Sequence, residues 1–188
     1  MPSFSSSRRK AKQHSRGQLF LEFLIDAQTP ALVPIAQTQE VTLVSPEQLT
    51  PMPNMPSAVL GLLHQRGRVF WVVDLARMLQ CQTFWGASRE YTLLILQIQP
   101  RTQDQATSAA PGQPHYLGLL VFAVKGGVWF PPEAIRPPVG DLSKDLVPYL
   151  QGCLPHQDQQ LLVLDTRAIA HASVLQPLSF GPPALLNA

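Results

Sequence analysis

Residues 53–79 read PNMPSAVLGLLHQRGRVFWVVDLARML. Two apolar runs, Ala58 to His64 and Arg68 to Val73, flank Gln65-Arg66-Gly67. Gly67 supplies the backbone freedom of a tight turn, so the runs are expected to pair as a hairpin. Asp74 then precedes Leu75, Met78 and Leu79, which share one helical face. Asp is a preferred N-cap, so a short capped helix should follow.

The same unit recurs further along. Gly61 precedes Asp74 by 13 residues, and Gly152 precedes Asp165 by 13. At matched positions Leu63 corresponds to Leu154, Phe70 to Leu161 and Val72 to Val163, while Arg77 and Arg167 follow their aspartates closely. An offset of 91 residues is too long for a solenoid repeat. The spacing therefore predicts two similar small β units, one per half of the chain.

Other apolar runs extend this pattern. Leu19 to Ile25, Ala31 to Ile35, Glu40 to Val44, Tyr91 to Ile98, Tyr116 to Val124 and Gln160 to Leu164 read as strands. Tyr116 to Val124 is the most apolar and is expected to be central. Pro46 to Pro56 reads as an irregular connection, Gly126-Gly127 as a turn before a short strand, and Pro131 to Ile135 as one helical turn. Residues 100–114 read as a polar loop. Many short strands without long alternating helices predict an all-β fold of antiparallel barrels, not a parallel sheet.

Composition narrows the classes. The 188 residues are 45% hydrophobic and 14% charged, with 19 prolines and 19 glutamines. That is too apolar for a disordered chain and too poor in charge for a coiled coil. Two cysteines exclude a disulfide scaffold. The net charge of +2 hides an asymmetry: residues 1–17 carry +5, and the remainder carries −3. Residues 1–17 read as a disordered basic arm and residues 176–188 as a loose tail. No secretory signal is legible, so a cytoplasmic location is expected.

Catalytic motifs are missing. There is no nucleophile elbow, H-E-x-x-H, P-loop or G-x-G-x-x-G. Cys153 and His156 have C-x-x-H spacing without a second pair of ligands, and Cys81 stands alone. No catalytic residue, metal ligand or cofactor is expected. Trp71 and Trp129 read as core residues. Arg66 at the hairpin tip is either a solvated turn residue or a docking arginine with a planar fork of donors.

Residues 53–79 resemble the CheW family of chemotaxis adaptors, whose hallmark runs approximately P-N-x-P-x-x-V-x-G-[VL]-x-N-L-R-G-x-V-x-P-V-x-D-L. Pro53, Asn54, Pro56, Val59, Gly61, Arg66, Gly67, Val69, Val73, Asp74 and Leu75 match it. Gln18 to Ile25, Gln39-Glu40-Val41, Tyr116 to Val121, Phe130 to Ile135 and Leu161 to Asp165 resemble further family segments, in order. The resemblance implies two SH3-like five-stranded antiparallel β-barrels on a shared core, with short capping helices. This domain would span 18–175, its second, intertwined sub-barrel being roughly 90–160.

The resemblance also implies a non-catalytic scaffold that joins the cytoplasmic tip of a methyl-accepting chemoreceptor to the regulatory domain of a CheA-type histidine kinase. Glu40, Gly61 and Arg66 fall where partner contact is expected. Gly118 and Val124 fall on the second-barrel strand lining the receptor groove, with Thr38 nearby. Gly67, Asp74 and Asp165 are structural. His64-Gln65 stands where the family has Asn-Leu, Phe122 where it has Asp, and Gly126-Gly127 where a polar turn is usual. These departures, the low charge and the basic arm lean toward pilus-based or phototaxis signalling, with recruitment to membrane-associated receptor arrays but no membrane insertion.

The competing class is a small β-barrel nucleic-acid binder using the basic arm. It needs aromatics interleaved with Lys or Arg on a strand face. Tyr91 to Ile98 and Tyr116 to Val124 hold neither cation. Metal analysis of the purified protein tests the scaffold reading: no stoichiometric metal is expected, and one tightly held zinc per chain would overturn it.

Overall fold

The computed structural model describes residues 17–98, 115–138, 142–156 and 159–175. The expected basic arm, the 100–114 loop and the C-terminal tail lie outside them, Gly17 of the arm excepted. Among these residues eleven strands and two short α-helices carry the fold. In chain order the strands are β1 (Gln18–Leu24), β2 (Pro30–Pro34), β3 (Thr38–Val44), β4 (Leu49–Thr50), β5 (Val59–Gln65), β6 (Arg68–Asp74), β7 (Tyr91–Ile98), β8 (His115–Val121), β9 (Ala123–Phe130), β10 (Leu150–His156) and β11 (Gln159–Leu164). Helix α1 (Leu75–Met78) follows β6, and α2 (Thr166–Ala170) follows β11.

They form two sheets, ordered β3-β7-β8-β6-β5-β4 and β10-β11-β2-β1-β9. The predicted all-antiparallel pairing needs correction, because each sheet contains one parallel seam. Trp71 to Asp74 of β6 run parallel to Leu117 to Leu120 of β8, and Leu162-Val163 of β11 run parallel to Ala31-Leu32 of β2. The seams arise from an exchange. Hairpin β7–β8 comes from the second half of the chain but completes the sheet of β3–β6. Hairpin β1–β2 comes from the first half but completes the sheet of β9–β11. Two strands inside the predicted second sub-barrel, roughly 90–160, thus belong to the first sheet.

The duplication is real at the level of single residues. Trp71 pairs with Leu117 and Leu162 with Ala31, across the two seams and 91 residues apart. Both blocks carry a register shift at their glycine, Val59/Gly61 and Leu150/Gly152. A Cβ on Gly61 would sit 2.4 Å from the Thr50 carbonyl oxygen, and one on Gly152 2.4 Å from that of Arg136. Only glycine admits the neighbouring strand so closely. The Asp74 amide donates to Ala58 O and the Asp165 amide to Tyr149 O, both at 2.8 Å.

Period-two alternation divides the apolar residues among three clusters. Phe70, Val72, Leu93, Ile95 and Leu120 pack on one face of the six-stranded sheet. Phe20, Leu32, Leu154, Leu161 and Val163 do so on the other sheet. Between the sheets lies the largest cluster, including Phe23, Trp71, Val73, Leu94, Leu119 and Leu162. This is the expected shared core. The proline-rich connection holds one unforeseen short strand, β4, which pairs with β5. Gly126-Gly127 is not a turn, because both residues lie inside β9, with a bulge opposite Glu22/Phe23. The chain turns earlier, at Phe122, whose amide donates to Leu24 O.

Both aspartates cap as expected, but they are not equivalent. Asp165 Oδ1 accepts from the Arg167 and Ala168 amides. Asp74 Oδ1 accepts from the Arg77 amide, while Oδ2 accepts from the Thr83 hydroxyl and faces Arg77 Nε at 3.8 Å. Asp74 is fully buried. Asparagine preserves a cap but not the charge that serves Thr83 and Arg77. Asp165→Asn is therefore expected to change stability by less than about 0.5 kcal/mol. Asp74→Asn should cost about 1–3 kcal/mol, and equal urea midpoints for the two variants would refute the difference.

Candidate functional site: the charged mouth of the six-stranded sheet

Gln65 and Arg68 pair across the hairpin, leaving Arg66 and Gly67 as a two-residue turn. Both have positive φ, 49° and 72°, the combination a type I′ turn requires. Arg66 therefore adopts a left-handed backbone that a non-glycine residue enters at a cost. This turn projects beside β3. There a register shift between Thr38 and Glu40 turns the Glu40 side chain toward the end of the sheet's own core.

Arg66 Nη2 lies 3.2 Å from Glu40 Oε1, with the Arg66 side chain 74% exposed and that of Glu40 22%. Two residues singled out in the sequence for partner contact thus meet as an ion pair across 26 positions of chain. A shallow cleft, open to solvent, adjoins the pair, with Phe70 and Ile95 among its walls. Arg68 and Tyr116 line it too, and sequence reading passed over both. The Arg68 guanidinium carbon stands 4.5 Å from the centre of the Tyr116 ring. The available signal was the alternation of Arg68 with Phe70 and Val72, which places Arg68 on the inner face of β6.

The remaining expected contact residues lie elsewhere. Gly61 occupies the β5 bulge against Thr50. Gly118 is buried on β8, where a Cβ would meet Leu93 and Val72 side-chain atoms at 3.2 Å. Val124 is not on the strand of Gly118. It belongs to β9 in the other sheet, half-buried against the shared core. Thr38 begins β3, and its hydroxyl is buried without a hydrogen-bond partner among the described residues. Trp71 is core as expected, but Trp129 is not: it is 68% exposed on the edge strand β9.

Chemistry at the thiols is disfavoured by position. Cys153 and His156 are three residues apart on one strand, so they point to opposite faces, one buried and one exposed. Burial raises the Cys153 thiol above its ordinary pKa. Burial, then the nearby Asp26 charge, does the same for Cys81. Neither is an activated thiolate. Among the described residues no group of three His, Cys, Asp or Glu could hold a metal, and no helix is long and apolar enough to cross a membrane.

Two interlocked β-sheets thus share one core, and the Glu40–Arg66 pair lies at a solvent-facing end of one of them. The family model described as the CheW-like domain matches residues 19–174, and the chain belongs to that family. Among solved structures it is similar to the scaffolding protein TtCheW from Thermoanaerobacter tengcongensis. The identity is 19%, the TM-score 0.63, and the match covers 85% of this chain and 95% of that one. No curated protein matches the chain.

Two substitutions separate packing from charge at this site. Gly118→Ala forces Leu93 and Val72 apart and should cost about 1–3 kcal/mol. Glu40→Gln removes only a largely exposed pair and should cost no more than about 1 kcal/mol. Urea unfolding of both variants checks the ranking, which fails if Glu40→Gln is the more damaging change.

Proposed function

We propose that the protein is a non-catalytic adaptor that couples a chemoreceptor to a CheA-type histidine kinase in chemotaxis or pilus-based motility signalling. The observation that carries this reading is the Glu40–Arg66 pair, built at a solvent-facing sheet end of a CheW-like domain. A two-residue turn holds Arg66 at a fixed point, so its fork of donors can meet a carboxylate or carbonyl with little further ordering. Glu40 holds that fork in place between encounters. In this reading Thr38 and Val124 extend the contact surface, while Gly61 and Gly118 set the strands that carry it. The partners are the cytoplasmic tip of a methyl-accepting receptor and the kinase regulatory domain. The protein works in the cytoplasm, recruited to receptor arrays at the membrane.

The measurement is affinity capture followed by titration against the kinase regulatory domain and the receptor hairpin separately. Wild-type protein should retain both. Arg66→Ala should keep its melting temperature and weaken one of the two complexes by about 1–3 kcal/mol. Arg66→Lys should recover only part of the loss, since a point charge lacks the planar fork. Unchanged affinity for both partners in a folded Arg66→Ala variant returns Arg66 to a solvated turn residue.

A further inference from the structure

Arg68 is a cation set in place without an anion among the described residues. Its guanidinium stacks over Tyr116 at 4.5 Å and has no hydrogen bond or ion pair to any described residue. The stack fixes a side chain that would otherwise lose rotamer freedom on binding. Arg68 follows the Arg66-Gly67 turn directly, so both guanidinium groups border the same cleft. Glu40 neutralises one of them. Among the described residues the mouth therefore carries one uncompensated positive charge above an apolar floor of Phe70 and Ile95.

Building on the adaptor reading, we propose that this cleft seats one acidic side chain of the protein partner, with Arg68 as the residue that selects it. The carboxylate accepts from the Arg68 fork at the cleft's open mouth, above the buried Phe70 and Ile95. Arg66 closes over the second oxygen while remaining paired to Glu40. The charge count favours a single carboxylate: two arginines less one glutamate leave +1. A nucleic-acid backbone presents a row of phosphates and calls for a row of cations, whereas here Glu40 is paired to one of the two arginines and the chain beyond residue 17 has a net charge of −3.

The test uses the full-length protein and needs neither receptor nor kinase, so its failure is distinct from failure of the adaptor reading. The probes are the capped peptides acetyl-Ala-Glu-Ala-amide and acetyl-Ala-Gln-Ala-amide, followed through the arginine Nε–H resonances by NMR. The glutamate peptide should shift the Arg68 and Arg66 signals saturably, and the glutamine peptide should not. Arg68→Gln should weaken the glutamate peptide about tenfold, the size of one charge-assisted contact. Tyr116→Leu, which keeps the charge but removes the stack, should weaken it severalfold. Unchanged thermal melting of Arg68→Gln confirms that the loss is local. Equal responses to both peptides, no response to either, or undiminished binding by Arg68→Gln overturns the proposal. Tighter saturable binding of a ten-residue oligothymidylate overturns it in favour of a phosphate-backbone site.

Discussion

The two parallel seams, β6 against β8 and β2 against β11, are the constraint on which the rest of the molecule depends. At each seam a hairpin made by one half of the chain enters the sheet of the other. Without β7–β8, β3 has no neighbour and the inner edge of β6 exposes its amides and carbonyls. Without β1–β2, β9 is separated from β11. Unpaired backbone groups of this kind cost too much to leave buried. The shared core makes the same demand, because it draws Phe23 and Val33 from one end of the sequence and Leu94, Leu119 and Leu162 from the rest. The exchange therefore leaves neither half able to fold as an independent unit.

The charged mouth inherits this dependence. Glu40, Arg66 and Arg68 come from the first half, while Tyr116 and Ile95 arrive on the exchanged hairpin. Arg68 has its stacking partner only after β8 has docked on β6. Gly118 matters to that arrangement in a packing sense: a Cβ there would press on the Val72 and Leu93 side chains from the strand that carries Tyr116. Residue types that look like surface contacts in a linear motif thus act at two levels. Some meet a partner, and others keep the contact residues in register.

Much of the fold was legible in the sequence because the signals were local. An apolar run gave Tyr91–Ile98 its observed ends, glycine marked the hairpin, and each aspartate stood where its cap was needed. What was not legible depends on pairing between distant segments. Nothing in Tyr91–Ile98 states that its neighbours are Thr38–Val44 and His115–Val121, so contiguity in sequence wrongly assigned it to the second unit. Gly126-Gly127 reads as a turn because glycine pairs usually are, yet opposite Glu22 the chain needs a bulge. Trp129 was expected in the core, but it lies on β9, an edge strand, and is 68% exposed. Glu40 and Arg66 were each found by motif, and only the β3 bulge brings them together. Arg68 carried no motif and was missed.

The internal duplication also explains why only one of the two sheets bears the charged mouth. The register shifts align β3 with β9: Glu40 pairs with Ile95 just past one bulge, and Gly126 pairs with Glu22 just past the other. Gly126 is thus the structural counterpart of Glu40 and has no side chain to offer an arginine. The offset of 91 residues sets Arg66 against Gln157, which has no charge to offer a glutamate. By the pairing across the seams, Tyr116 and Arg68 correspond to Pro30 and Gln159, which offer neither an aromatic ring nor a cation. The two units share the elements that folding requires: the crowded glycine, the capping aspartate and the parallel seam. They differ in the residues that folding leaves free: the first sheet carries Glu40–Arg66 at its mouth, while the second carries Lys125–Glu22, 3.3 Å apart, beside the β9 bulge, so the arginine mouth belongs to one copy and is not a consequence of the fold itself.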